Sequence, residues 1–328
     1  MTKRPILAFL LLATLSLAGP AAALPPAPTA DIADLLGQYG TADNILTIYE
    51  SEGGLYADGR GLKEEPLSPT GSGRDRAGRS KITFVGKGPQ EIAILDGERL
   101  PRHDFGAEVM AAVRAKVKAD PPALRAQALA ASPPVETGKQ AADLVDLTTV
   151  DRRIKLDIRY ATANNFMGFP LYERAAAYMQ RPAAEALGRA QKALAAQGYG
   201  LLIYDAYRPW FVTKMFWEAT PPASRVFVAD PAEGSKHNRG CAVDLTLYEL
   251  RTGRPVEMTG RYDEMSTRSY ADFVGGTSRQ RALRQILRTA MEAQGFTAYP
   301  QEWWHFDYKD WPSYGIGTIT FTELAKRN

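Results

Sequence analysis

Cysteine and histidine are the scarcest functional residues of this 328-residue chain: one cysteine, Cys241, and three histidines, His103, His237 and His305. A lone cysteine excludes an internal disulfide, so a folded state must rest on burial, and a hydrophobic content of 45% is ample for that. Charge of one sign is lacking too. Forty Lys and Arg stand against 37 Asp and Glu, a near balance that gives no reason to expect nucleic acid as a partner. Long apolar runs are confined to the start. Lys3 and Arg4, the apolar stretch 6–18 and Ala21-Ala22-Ala23 read as the n-region, h-region and cleavage site of a signal peptide, Met1 to Ala23. The apolar stretch is too short to span a bilayer, and no cysteine stands at the cleavage site to carry a lipid. The expectation is an exported protein, periplasmic or extracellular, with no membrane anchor. Removing the two leader bases lowers the formal charge from +3 to +1.

The rare histidines sit in pointed company. His237 and Asp244 lie seven residues apart in Gly-Ser-Lys-His-Asn-Arg-Gly-Cys-Ala-Val-Asp, and His305 ends Glu302-Trp303-Trp304-His305. Two imidazoles and a carboxylate suit a borderline-soft divalent cation, and a catalytic zinc site takes three protein ligands plus one open position. Glu302 could act as a base beside such an ion. If 240–247 is a strand, alternation puts Ala242, Asp244 and Thr246 on one face, with small Gly240 and Ala242 leaving room for metal and substrate. Cys241 then faces away and reads as a small buried hydrophobe. His103 has no partner motif and reads as structural.

Residues 24–30 are rich in Pro and Ala and read as a linker. Short alternating runs at 45–49, 54–57, 81–85 and 91–95, separated by turns such as Glu52-Gly53-Gly54 and Asp96-Gly97, predict a small antiparallel meander. A helix is predicted over Phe105 to Ala131, ended by Pro133-Pro134. Residues 31–140 are thus expected to form a small β-rich unit with a C-terminal helix, and 141–328 a second domain. In the latter, strands are predicted at 154–160 and 200–205, and helices at 182–197, 210–219 and 279–294. Arg208, at the end of a buried strand and before Pro209, is placed to hold an anionic group.

Asp157-Ile158-Arg159-Tyr160-Ala161-Thr162, Tyr204 to Pro209, Ser235 to Leu247 and Glu302 to His305 together resemble the zinc D-alanyl-D-alanine dipeptidases, D,D-peptidases related to the Hedgehog fold. The resemblance runs in order from about Asp146 to the C-terminus. It implies an α+β domain with a mixed or antiparallel sheet flanked by helices, and one Zn2+ per chain held by His237, Asp244 and His305. It further implies Glu302 as general base, Arg208 as oxyanion stabiliser, and Tyr160, Ser235 and Asp263 around the small D,D-dipeptide substrate. Three functions remain open at this point. The first is a dipeptidase serving wall turnover or D-alanine scavenging. The second is a D,D-carboxypeptidase or endopeptidase acting on peptidoglycan fragments, and the third a non-catalytic zinc-stabilised binding module.

Overall fold

A computed structural model describes residues 23–68 and 76–326; the signal-peptide reading of residues 1–23 falls almost wholly outside them. A short helix α1 (Ala30–Ala33) leads into strands β1 (Gly37–Thr41), β2 (Asn44–Ser51), β3 (Gly54–Gly59), β4 (Leu62–Ser68), β5 (Arg76–Ala77), β6 (Ser80–Val85), β7 (Ile92–Leu95) and β8 (Glu98–Pro101). They pair in sequence order as one antiparallel meander. Three of its turns use dipeptides with both residues left-handed, Glu52-Gly53, Arg60-Gly61 and Asp96-Gly97. That geometry matches the right-handed twist of the flanking strands. Tyr39, Leu46, Ile48, Ile82 and Ala93 form a core of their own beneath this sheet. His103 packs its ring on Phe105 at 4.2 Å between centroids.

The single helix predicted over 105–131 is two, α2 (Ala107–Ala119) and α3 (Pro121–Ala130). Proline cannot donate within a helix and disfavours helical backbone before it, so Asp120 leaves the helix and its carboxylate caps α3 through Ala123 N. Their buried residues Val113, Val117 and Ala128 belong to the large core of the C-terminal half, where both helices pack on α5 (Trp210–Ala219).

That half also contains β9 (Leu144–Asp146), β10 (Lys155–Leu156), β11 (Tyr178–Gln180), α4 (Arg181–Ala195), β12 (Tyr199–Asp205), β13 (Ala242–Glu249), α6 (Ser278–Glu292), β14 (Phe296–Tyr299), β15 (Glu302–Tyr308) and α7 (Phe321–Leu324). The main sheet runs β10-β12-β13-β15-β14, with β10 parallel to β12 and the other pairs antiparallel. It is therefore a mixed sheet in an α+β fold. The strand predicted over 154–160 is shorter than its apolar pattern suggested, because the chain turns after Leu156 into a 3-10 turn at Arg159–Ala161. Helix α4 starts with Pro182 in its first turn, buries Ala183, Leu187, Ala190 and Leu194 at helical spacing, and stops before Gly198 at φ +87°. Helix α6 opens with a capping box between Thr277 and Gln280. Both helices pack on the sheet and on each other. Each fully buried leucine in this layer contributes ~1.5–3 kcal/mol.

The meander and the main sheet are joined through α6. Glu50 on β2 is buried, and its carboxylate accepts from Ser278 N at 2.7 Å and from Ser278 Oγ at 3.1 Å. A carboxylate there meets unpaired amides at the positive end of the helix dipole. Among the described residues, no helix is long and apolar enough to cross a membrane.

Candidate metal centre and active site

Strand register assembles the site. Asp205 on β12 pairs with Asp244 on β13, and Asp244 pairs with His305 on β15, so three neighbouring central strands present these side chains in a row. A register shift between Ile203 and Asp205 marks where β12 departs from regular pairing. His237 comes from the loop before β13, which turns at Gly240. That glycine serves the backbone rather than the cavity: its φ is +67°, and a Cβ there would stand 2.6 Å from Leu144 Cδ2. The sequence-based idea that Gly240 and Ala242 leave room for metal is corrected accordingly, since neither lines the cavity.

His237, Asp244 and His305 are all buried and converge as a group able to hold a metal ion. His237 Nε2 lies 3.1 Å from His305 Nδ1 and 3.2 Å from Asp244 Oδ1, and His305 Nδ1 lies 3.1 Å from Asp244 Oδ1. The outer nitrogens set the tautomers. His237 Nδ1 donates to the Ala206 carbonyl at 2.6 Å, and His305 Nε2 donates to Asp307 Oδ1 at 2.8 Å. Both inward nitrogens then carry lone pairs facing a carboxylate oxygen, an arrangement of three acceptors that a cation satisfies. Burial opposes the charge on Asp244, yet the two imidazoles, when protonated, hold its carboxyl well below the usual range, and a cation bound between them would take the place of that positive charge. Asp244 Oδ2 also accepts from Tyr262 OH at 2.9 Å.

Arg208 lies beside this centre, buried against Tyr160 and Phe216. Its Nε and Nη2 grip Asp205 Oδ2 at 2.9 and 2.8 Å, and Nη2 is 3.7 Å from Asp244 Oδ2. Burial works against the guanidinium charge, but Asp205, Tyr160, Tyr172 and Asp244 together more than offset it and Arg208 stays protonated. Tyr172 OH completes the support by donating to Asp205 Oδ1 at 2.6 Å. Glu302 Oε2 stands 3.6 Å from His305 Nδ1. Burial pushes its carboxyl up to about 7, with His305 opposing and Asp244 adding to the rise.

One cavity of about 260 Å³ is lined by all eight residues singled out from the sequence: Tyr160, Arg208, Ser235, His237, Asp244, Asp263, Glu302 and His305. Tyr160 OH donates to Asp263 Oδ1 at 2.8 Å, whereas Asp263 Oδ2 is buried with no hydrogen-bond partner among the described residues. Burial pushes the Asp263 carboxyl up to about 8. Ser235 Oγ accepts from His237 N at 3.2 Å and so braces the ligand loop. Cys241 takes no part in the triad; burial pushes its thiol up to about 12.

Sequence reasoning passed over Asp205, Tyr262 and Asp307, which orient the others. For Asp307 a signal existed: it follows His305 by two on one strand, hence on the same face.

Three convergent metal donors, a carboxyl poised near neutrality and a buried guanidinium around one small cavity are the equipment of a metal-dependent hydrolase. A family model described as D-ala-D-ala dipeptidase matches residues 140–322, and the chain belongs to that family of metallopeptidases. The D-alanyl-D-alanine dipeptidase of Escherichia coli (strain K12) is 34% identical over 174 residues, covering 53% of this chain and 89% of that protein. That of Enterococcus faecium is 38% identical over 180 residues, covering 48% and 88%. A shorter match, 38% over 92 residues, is to the D-alanyl-D-alanine dipeptidase of Synechocystis sp., covering 25% of this chain and 37% of that protein. The meander and helices α2 and α3 precede the family match.

Proposed function

We propose that this chain is an exported zinc enzyme that hydrolyses D-alanyl-D-alanine to free D-alanine. The observation that carries the reading is the triangle of donor atoms at 3.1–3.2 Å, with Glu302 and Arg208 in the same cavity. Tetrahedral zinc with ligand bonds of about 2.0 Å spaces its donors about 3.3 Å apart, so the triad fits one face of that tetrahedron. The relatives' shared name supports the substrate.

A zinc ion held by His237, Asp244 and His305 would supply Lewis-acid chemistry, polarising the scissile carbonyl and making water a better nucleophile at neutral pH. Glu302, its carboxylate 3.6 Å from His305 Nδ1 at the edge of the centre, takes the proton from the attacking water and returns it to the leaving amine. Arg208, fixed by Asp205, faces the negative charge that develops on the carbonyl oxygen. Asp263, with one oxygen unpartnered among the described residues, gives up its proton as the substrate ammonium pairs with it, while Tyr160 orients it. Ser235 lines the dipeptide subsite. A cavity of about 260 Å³ lies below the range of about 300–1,000 Å³ usual for drug-sized ligands, which favours the free dipeptide over a polymer.

The leader, a small β-rich unit ahead of the peptidase domain, and a role in wall turnover or D-alanine scavenging belong to the same reading. The test uses protein lacking residues 1–23, stripped of metal and titrated with zinc. D-alanine release from the dipeptide should rise to a maximum at one zinc per chain. Faster cleavage of muropeptides than of free dipeptide would install the carboxypeptidase or endopeptidase reading, and zinc binding without hydrolysis of either would install the binding module. Cell fractionation finding the full-length, uncleaved chain in the cytosol would remove export.

A further inference from the structure

The loop over residues 260–269 carries Asp263, and its backbone is under constraint. Asp263 has φ +60°, a left-handed conformation that a side chain other than glycine adopts at a cost. Holding it there falls to residues on either side. Arg261 N donates to Glu264 Oε2 at 2.9 Å, Ser266 Oγ donates to Glu264 Oε1 at 2.6 Å, and Arg268 Nε donates to the same oxygen. Glu264 is thus the internal staple.

The external staple comes from the part of the chain that precedes the family match. Asp104, between β8 and α2, receives Arg261 Nη2 on both carboxylate oxygens at 2.8 and 2.9 Å, and Arg268 Nη2 at 2.6 Å. One carboxylate therefore grips the loop on both sides of Asp263. Two further contacts hold the same loop. Gln38 Nε2 on β1 donates to Thr267 Oγ1 at 3.0 Å. Gly106, at φ +93°, lets the Met265 carbonyl approach so closely that a Cβ would stand 2.6 Å from its oxygen. Glu50 ties the meander to the start of α6 as well.

We propose that Asp104 is a positioning residue for substrate recognition: by clamping Arg261 and Arg268 it fixes Asp263 where the dipeptide ammonium binds. The N-terminal sheet is, on this account, a rigid mount for one wall of the active site. The inference rests on Asp263 as the ammonium partner. Surface ion pairs contribute little to stability, ~0–1 kcal/mol, and Asp104 is half exposed at 50%, so the clamp acts on geometry rather than on folding.

The experiment uses the full zinc-loaded chain and two ligands, D-alanyl-D-alanine as substrate and N-acetyl-D-alanyl-D-alanine, which lacks the ammonium, as competitor. Asp104→Asn should raise KM for the free dipeptide about tenfold with kcat within twofold, leave the competitor's Ki, zinc content and Tm unchanged, and be rescued largely by Asp104→Glu. In Asp263→Asn, the added Asp104→Asn should raise KM no further. An unchanged KM in Asp104→Asn, equal losses for both ligands, or effects that multiply in the double variant would overturn the proposal. Asp263→Asn alone separates the two ideas. A raised KM there, with no effect of Asp104→Asn, defeats the clamp only, whereas an unchanged KM defeats the ammonium reading and the clamp with it.

Discussion

Replacing Asp307 by Asn tests whether the centre depends on its outer hydrogen bonds. His305 Nε2 donates to Asp307 Oδ1 at 2.8 Å, which leaves Nδ1 unprotonated and facing His237 and Asp244. Asparagine can present a carbonyl oxygen at the same place, so the ring orientation survives and the negative charge is lost. A hydrogen bond to a charged group is worth ~1.5–3 kcal/mol against ~0.5–1.5 for a neutral one, a difference of roughly 1–2 kcal/mol. Lys236 Nζ, 3.4 Å from Asp307 Oδ2, would then lack its partner and repel a bound cation, which pushes in the same direction. Zinc affinity should fall about 10- to 30-fold, within the span usual for outer-shell partners. Asp307→Ala, with no acceptor at all, should lose about 100-fold. Competition against a fluorescent chelator measures both, and kcat at saturating zinc should stay within a few-fold of the parent. Unchanged zinc affinity in the Asn variant, or a fall in apo-protein Tm that accounts for the whole loss, would refute the reasoning.

Arg208→Lys should lower kcat about 10²- to 10³-fold with zinc content intact, because lysine keeps the charge but cannot reproduce the two-nitrogen grip on Asp205 between Tyr160 and Phe216; steady-state kinetics with metal analysis decides it. For pH, the Asp263 carboxyl is raised from 3.8 to about 8, so between those values the folded protein holds a proton that the unfolded chain has released. Its contribution to stability is therefore present at low pH and lost as pH rises toward 8. Urea unfolding at pH 5 and pH 8 should show a smaller difference in Asp263→Asn than in the parent, and an identical difference in both would contradict this origin.

The ligands were legible in the sequence because chemistry restricts them to few residue types, and histidine is rare enough here for two motif histidines to stand out. The helices over 182–197, 210–219 and 279–294 were legible from apolar spacing and end signals, and they lie within a few residues of α4, α5 and α6. What escaped was the supporting layer. Asp205 and Tyr262 act only through partners that strand register and loop folding bring near, and of the three only Asp307, two residues after His305 on one strand, carried a local signal. Strands β1, β4 and β8 escaped for a different reason. Their sequences, Gly-Gln-Tyr-Gly-Thr, Leu-Lys-Glu-Glu-Pro-Leu-Ser and Glu-Arg-Leu-Pro, carry too few apolar residues to alternate, and their neighbours in the meander hold them in place. The clamp of Asp104 on the 260–269 loop joins residues 157 and 164 positions apart, a pairing only the folded chain reveals.

The most direct test of the account is D-alanine release from D-alanyl-D-alanine by zinc-loaded protein and by its Glu302→Gln variant, with zinc counted in both. Glutamine keeps the size of Glu302 but cannot accept the water proton, so the account predicts equal zinc and a fall in kcat of about 10²- to 10⁴-fold. Full activity in the variant, or none in the parent with one zinc bound, would contradict it.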